Sequence, residues 1–291
     1  MIVAVTGAAG RIGQAVLREL KSQENYQVWS LDRALPPAEL ADRALFVDLA
    51  DAGSVYAGLA GADAVIHLGA YPSVAHHAAE HVFVNNTAAC ANVAAACKAL
   101  GIKRVVYTSS VTTYGLGWQA RNGGIRALPA DESVGHHPHN AYALSKWVGE
   151  EIFELAAREF ELQTASLRPS LVIGPSEWST RGQPRDNAAD GLWGHVDSRD
   201  VALAARLALE HLDELGPGNH PFNVNAAIVH ARQPATELIT RHFPALASLA
   251  QSLHGMETLY GIEKARRVLG YEPRYSWQTE LAADARAGLL P

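Results

Sequence analysis

The sequence predicts an α/β fold, a doubly wound parallel sheet with a smaller, mostly C-terminal substrate domain, and three observations predict it. Short apolar runs alternate with helical patterns, the first run ends in a three-glycine turn, and the second ends in an acidic residue about 20 positions beyond the glycines. The turn reads Val3-Ala4-Val5-Thr6-Gly7-Ala8-Ala9-Gly10-Arg11-Ile12-Gly13. Gly7 permits the sharp exit from the strand, Gly10 lets backbone approach a pyrophosphate with no Cβ in the way, and Gly13 lets the next helix pack closely on the sheet. The helix N-terminus then faces the phosphates. These features specify a dinucleotide site in a Rossmann-type fold.

The remaining elements follow in order. Strands are expected at Ile2 to Thr6, Gln27 to Asp32, Leu45 to Leu49, Ala64 to Leu68, Arg104 to Ser109, Gln163 to Leu167 and Phe222 to Val224. Helices are expected at Arg11 to Lys21, Ser54 to Leu59, Asn86 to Leu100, Tyr142 to Phe160 and Asp200 to Leu212. This rhythm means right-handed crossovers, helices on both faces, and ligands at the carboxyl edge of the sheet. Residues 1–170 and 196–228 are expected to form the dinucleotide-binding domain, and 171–195 with 229–291 the smaller substrate domain or lid. Trp178, Arg181, Arg185 and Trp193 punctuate the lid stretch.

Composition narrows the function classes. With 291 residues, 48% of them hydrophobic, and a formal charge of −6, the chain can bury a substantial core. No basic run interleaved with aromatics points to nucleic acid, and no stretch is long enough to span a bilayer. The N-terminus enters a strand directly, without a charged leader, so a cytoplasmic location is the default expectation. Cys90 and Cys97 read as small buried packing residues. His76, His77 and His81, and His136, His137 and His139, lack a ligand set of metal-site spacing, and no metal is expected.

Asp32 ends the second strand, where a carboxylate can accept hydrogen bonds from both ribose hydroxyls of NAD and repel a 2′-phosphate. Arg33, just beyond it, is a residue that an NADP site would use. NAD is the expected cofactor, with NADP left open.

A second constellation is Tyr142-Ala143-Leu144-Ser145-Lys146, whose phenol and ammonium stand four residues apart on one helical face. A lysine held nearby favours the phenolate and brings a tyrosine pKa down toward working pH. Such a tyrosine exchanges a proton with a hydroxyl or carbonyl. The strand Val105-Val106-Tyr107-Thr108-Ser109-Ser110 ends in hydroxyls at the carboxyl edge, and one of these serines can hydrogen-bond a substrate oxygen that develops charge. The bland alternatives are a packed tyrosine with a solvated lysine, and a serine capping the next turn.

Taken in order, Thr6-Gly7-x-x-Gly10-x-x-Gly13, Asp32, Asp48-Leu49, His67-Leu68-Gly69-Ala70, Asn86, Ser109-Ser110-x-x-x-Tyr114-Gly115, Tyr142-x-x-x-Lys146 and Arg168-Pro169 form one pattern. It resembles the extended short-chain dehydrogenase/reductase family, in its NAD-dependent epimerase/dehydratase branch. His195-Val196-Asp197, Phe222-Asn223-Val224 and Leu269-Gly270-Tyr271-Glu272-Pro273 carry the resemblance to the end of the chain. It implies catalytic roles for Ser110, Tyr142 and Lys146. Tyr142 would be the acid/base, Ser110 would hold the substrate oxygen, and Ser109 would support the strand end. It also implies that Asp48 and Leu49 lie by the adenine, that Leu68, Gly69 and Ala70 line the cofactor, and that Lys146 holds the nicotinamide ribose. Asn86 would order the helix and cofactor region, although its spacing to Asn92 also fits a helix cap. Pro169, with its neighbours Arg168 and Ser170, would pass under the nicotinamide.

Departures from the pattern bear on the reaction. Dehydratases of the branch place an acidic residue just after the strand-end hydroxyl, where this chain has Val111. Sugar-nucleotide epimerases carry a long segment between the Gly-Pro and the His-Val-Asp motif, whereas Gly174-Pro175 is followed closely by His195 here. The resemblance therefore implies NAD-dependent oxidation or reduction of a small sugar-like substrate, a free sugar or sugar acid. Arg181 or Arg185 is a candidate for a substrate carboxylate, and Trp178 or Trp193 for stacking on a sugar face. Alternatives are a sugar-nucleotide 4-epimerase holding NAD tightly, a hydroxysteroid dehydrogenase-like activity, and an NAD-binding protein without turnover. Alanine-rich helices near Asn86 and Tyr142 resemble the family's dimer seam, so a homodimer is expected.

Overall fold

The computed structural model describes residues 1–115, 125–186 and 190–286. Residues 187–189 of the expected lid and 287–291 of the expected C-terminal stretch lie outside them.

The strands are β1 (Ile2–Thr6), β2 (Gln27–Asp32), β3 (Arg43–Phe46), β4 (Ala64–His67), β5 (Arg104–Thr108), β6 (Gln163–Pro169), β7 (Leu171–Ile173), β8 (His195–Asp197) and β9 (Gly218–Val224). The helices are α1 (Arg11–Lys21), α2 (Ala52–Leu59), α3 (Ala79–Leu100), α4 (Ala141–Phe160), α5 (Trp178–Arg181), α6 (Ser198–Leu215), α7 (Ala235–His242), α8 (Glu263–Leu269) and α9 (Trp277–Arg286). Seven strands form one parallel sheet in the order β3-β2-β1-β4-β5-β6-β9. The order reverses between β1 and β4, which opens a crevice at their carboxyl ends.

The strands are buried on both faces because their side chains alternate between two cores. Val3, Val5, Val28 and Ile66 point to one, which α1 and α6 cover with Val16, Leu17, Val201 and Leu209. Ala4, Trp29, Leu31 and Val65 point to the other, covered by Val55 and Leu59 of α2, Val93 of α3 and Phe153 of α4. Each fully buried aliphatic side chain of this size contributes about 1.5–3 kcal/mol. Cys90 and Cys97 belong to the second core as unpaired thiols, which burial pushes up to about 11 and about 12. A third core around Tyr114, Trp193, Leu238, Leu259 and Tyr260 joins the C-terminal elements to the segment after β5.

Several elements differ from expectation. β3 occupies Arg43–Phe46 rather than Leu45 to Leu49. As the outermost strand it is largely exposed, and the apolar residues Val47 and Leu49 belong to the following loop, where they line a cavity. α3 begins at Ala79, seven residues before Asn86, so Asn86 is not a helix cap. β9 begins at Gly218 and contains Pro221, which an edge strand tolerates because one of its sides carries no ladder. β7 and β8 were not expected as strands; they pair in parallel, Leu171 opposite His195, as a separate two-stranded sheet.

Candidate active site

Two abutting cavities open at the carboxyl edge of the sheet, sharing Arg11, Ile12, Leu68, Ala70 and Pro72. The first encloses about 310 Å³. Of the residues expected at the cofactor, all but Asn86, Lys146 and Pro169 line it. Lys146 and Pro169 line the second, of about 610 Å³, together with Ser110 and Tyr142.

The first cavity is walled by the glycine turn. Gly7 has φ +66°, and a Cβ there would come within 2.7 Å of Gly69 Cα, so only glycine lets β1 and β4 exit side by side. A Cβ on Gly13 would collide with the Gly7 carbonyl, which fixes how closely α1 starts beneath the turn. Gly10 caps α1 without a side chain, leaving the first-turn N–H groups free for an anion. The Asp32 carboxylate accepts from the Ala9 N–H at 3.0 Å and the Ala34 N–H at 3.2 Å, which holds it across from the glycine turn. Lone pairs remain on both oxygens for further donors. Arg33 is exposed, with its guanidinium 5.7 Å from the Tyr71 ring centroid.

Asn86 lines neither cavity. Its side chain is buried behind the loop after β4, accepting from the Tyr71 N–H at 2.8 Å and donating to the Tyr71 carbonyl at 3.1 Å and to Ser145 Oγ at 3.1 Å. It therefore ties the cofactor-side loop to the helix that carries Tyr142. Thr6 holds the same loop from below: its hydroxyl accepts from the Leu68 and Gly69 N–H groups and lies 2.7 Å from His67 Nδ1.

In the second cavity Asn140 caps α4 by accepting from the Ala143 N–H at 2.8 Å, which places Tyr142 in the first helical turn. Lys146, one turn on, donates to the Thr108 carbonyl at 2.7 Å, and its Nζ lies 5.9 Å from the Tyr142 ring centroid. Ser110 Oγ accepts from the Thr112 N–H and hydroxyl, so it caps the short turn after β5 while lining the cavity. Ser109, also at the cavity wall, donates its hydroxyl to Glu150 at 2.5 Å.

The electrostatics differ from the sequence expectation. Burial pushes the Tyr142 phenol up to about 12, although the adjacent Ser110 hydroxyl draws it down. Burial likewise pushes the Lys146 ammonium down to about 8, opposed by Cys90 and Glu150. The lowering of Tyr142 expected from Lys146 does not arise; desolvation is the largest influence on both groups.

The lid residues divide. Arg181 is committed to Glu177 at 2.9 Å, and the same carboxylate holds Arg11 of α1. Trp178 is fully buried and donates to Asp197 at 2.8 Å, so it packs rather than facing a ligand. Arg181 also lines the cavity, as do Arg185 and Trp193, and Arg185 makes no ion pair among the described residues. Of the histidines, His136 stacks on Trp147 while His77 and His81 pack around Tyr71.

Sequence reasoning missed Glu150, Glu177 and His230. Glu150 sits four residues after Lys146 on the same helical face, a spacing that marks it. Glu177 and His230 lie in segments without periodicity and carry no such signal.

A model of the NAD dependent epimerase/dehydratase family matches residues 3–225. The chain belongs to that family. It is an NAD-dependent enzyme of the short-chain dehydrogenase/reductase superfamily, and NAD is its cofactor. Among curated relatives, a 2-alkyl-3-oxoalkanoate reductase of Stenotrophomonas maltophilia is 34% identical over 75% of this chain and 67% of its own. A UDP-glucose 4-epimerase of Streptococcus mutans is 25% identical over 99% of this chain and 96% of its own. A uronate dehydrogenase of Pseudomonas putida is 29% identical over 56% of this chain and 58% of its own. In fold, the chain matches a superfamily member from Agrobacterium tumefaciens with bound NAD at a TM-score of 0.75 and 22% identity, over 99% of this chain and 97% of that one. No described helix is long and apolar enough to cross a membrane.

Proposed function

We propose that this family member oxidises a hydroxyl, or reduces the corresponding carbonyl, on a small sugar-like substrate, a free sugar or a sugar acid. The observation that carries the reading is the meeting of Ser110, Tyr142 and Lys146 on one cavity that abuts the dinucleotide cavity. NAD, when bound, accepts or returns the hydride. Tyr142 exchanges the proton of the substrate oxygen as acid or base, and Ser110 donates to that oxygen. In the oxidative direction the phenol must give up its proton, which the Lys146 ammonium favours by proximity once the site is filled. Pro169, the last residue of β6, lines the same cavity.

Arg185 supports an acid as substrate, since a guanidinium without an ion-pair partner among the described residues suits a carboxylate. Two relatives have names that specify such a group, a uronate and an oxoalkanoate. The compact lid after Gly174-Pro175 leaves little room to grip a nucleotide. Similarity to UDP-glucose 4-epimerase over nearly the full length keeps a 4-epimerase as the second reading. Its residues would be the same, with NAD retained and no net redox change.

The deciding experiment releases bound dinucleotide by denaturation and then offers free NAD with sugars and uronic acids. Accumulating NADH with one of them supports the dehydrogenase; stoichiometric retained NAD without net reduction supports the epimerase. Tyr142→Phe is expected to abolish turnover while leaving NAD affinity within a few fold. Full activity in that variant sinks the assignment.

A further inference from the structure

His230 lines the substrate cavity from the segment after β9. Its backbone is tied to the lid on both sides: the N–H donates to the Trp193 carbonyl at 2.7 Å, and the carbonyl accepts from the Arg185 N–H at 2.8 Å. Its ring Nε2 lies 2.9 Å from the Gly182 carbonyl oxygen. A carbonyl oxygen only accepts, so Nε2 carries the ring proton and Nδ1 keeps a bare lone pair. Among the described residues nothing donates to that nitrogen.

The ring is held still. His195, fully buried on β8, stacks on it with centroids 4.8 Å apart, and Trp178 meets His195 edge-on from the other side. Burial and the neighbouring Arg185 guanidinium keep His230 below its ordinary pKa, so it is neutral near pH 7 and Nδ1 stays an acceptor. His230, 1% exposed, and the all-donor guanidinium of Arg185 line the same cavity, and Nδ1 is the ring's unpartnered acceptor.

We infer that His230 is a specificity-determining residue whose Nδ1 accepts a hydrogen bond from a second substrate hydroxyl, distinct from the one at Ser110 and Tyr142. The cavity then selects a polyhydroxylated acid over a plain hydroxy- or oxoalkanoic acid. This rests on the reading above, which puts the reacting oxygen at Tyr142 and the carboxylate at Arg185. A plain acid leaves Nδ1 desolvated and unpaired, and sites built to bind a hydroxyl reject analogues that lack it.

The test compares D-glucuronate and D-galacturonate with 3-hydroxyhexanoate, using the full chain and NAD. Wild type is expected to show kcat/KM about 100-fold higher for the better uronate. His230→Leu is expected to raise the uronate KM by about tenfold with kcat little changed, leaving 3-hydroxyhexanoate unaffected, and His230→Gln, whose amide oxygen accepts, recovers part of the loss. Calorimetric binding of the uronates to NADH-loaded Tyr142→Phe protein, with and without His230→Leu, gives the same comparison without turnover. A preference for 3-hydroxyhexanoate or an equal effect of His230→Leu on both acids overturns the inference, whereas binding of neither acid overturns the reading beneath it. Failure of the underlying reading looks different: Tyr142→Phe would stay active, or Arg185→Met would leave the affinity for acids intact.

Discussion

The Glu150 carboxylate and the Arg168 guanidinium form a buried ion pair, Oε2 to Nη2 2.5 Å, with 4% and 2% of their side chains exposed. Ser109 donates to the same carboxylate, and Arg168 donates on to the Tyr114 hydroxyl, which donates to Asn223. The pair thus joins α4 to the ends of β5, β6 and β9 directly behind Ser110 and Lys146. Removing one partner strands the other charge away from water. Glu150→Ala is expected to destabilise the protein by about 3–5 kcal/mol, and Glu150→Leu combined with Arg168→Met by distinctly less. Urea unfolding measures both, and an unchanged midpoint for Glu150→Ala would refute this account of the pair.

Asp32 is expected to control the choice between NAD and NADP. Its carboxylate is pinned by the Ala9 and Ala34 N–H groups at the rim of the dinucleotide cavity, beside the exposed Arg33. Asp32→Ser exchanges the carboxylate, able to accept from both ribose hydroxyls, for a single neutral hydroxyl and removes the charge that repels a 2′-phosphate, while leaving Arg33 to meet one. The NAD dissociation constant is expected to rise about tenfold or more and that of NADP to fall, each read by NADH or NADPH fluorescence titration. Unaltered affinity for both would mean that Asp32 does not face the ribose.

The residues legible in the sequence are those whose signal is local. The β1 turn, Asp32 and the Tyr142–Lys146 spacing each depend on a run shorter than a helix, and the structure gathers them at the carboxyl edge. Elements with a thin apolar signature were misplaced: in the first seven residues of α3 only Val82 is buried, so its stripe is too sparse to read. The side chains that back the site were hidden for another reason. Arg168 meets Glu150 across 18 residues, and His230 meets Gly182 across 48, distances over which a sequence carries no periodicity. The rise in the Tyr142 pKa comes from desolvation in the folded chain, which five residues of helix do not reveal.

Acid should weaken the fold through its buried histidines. Burial and the Lys146 charge lower His67 from 6.5 to about 3, and His136, His195, His220 and His230 are lowered as well. A folded pKa below the unfolded one means that the unfolded chain takes the proton first as pH falls. The stability contribution is therefore whole above about pH 6.5 and is lost toward pH 3, with a slope of up to about 1.4 kcal/mol per pH unit for each such group. Lys146, lowered from 10.5 to about 8, follows the same sign in its own window, so stability should rise with pH between about 8 and 10.5. Chemical denaturation across pH, with His67→Asn and Lys146→Met as controls, reads both slopes; a variant that keeps the wild-type slope removes that residue from the explanation.

Asn86 is expected to support dinucleotide affinity although it lines neither cavity. Its amide takes both the N–H and the carbonyl of Tyr71 and reaches Ser145 on α4, so one buried side chain sets where the loop from Leu68 to Pro72 lies over the groove. Asn86→Ala leaves the Tyr71 peptide without those partners and frees the loop to drift from Gly7. Stability should fall by about 1–3 kcal/mol and the NAD dissociation constant should rise about tenfold. Asn86→Asp separates the two effects, because it keeps the acceptor for the Tyr71 N–H but loses both donated bonds and buries a charge. Fluorescence titration with NADH beside urea unfolding distinguishes the roles: weakened binding in a variant that remains fully folded identifies Asn86 as a positioning residue, whereas lost stability with unchanged affinity reduces it to a packing contact.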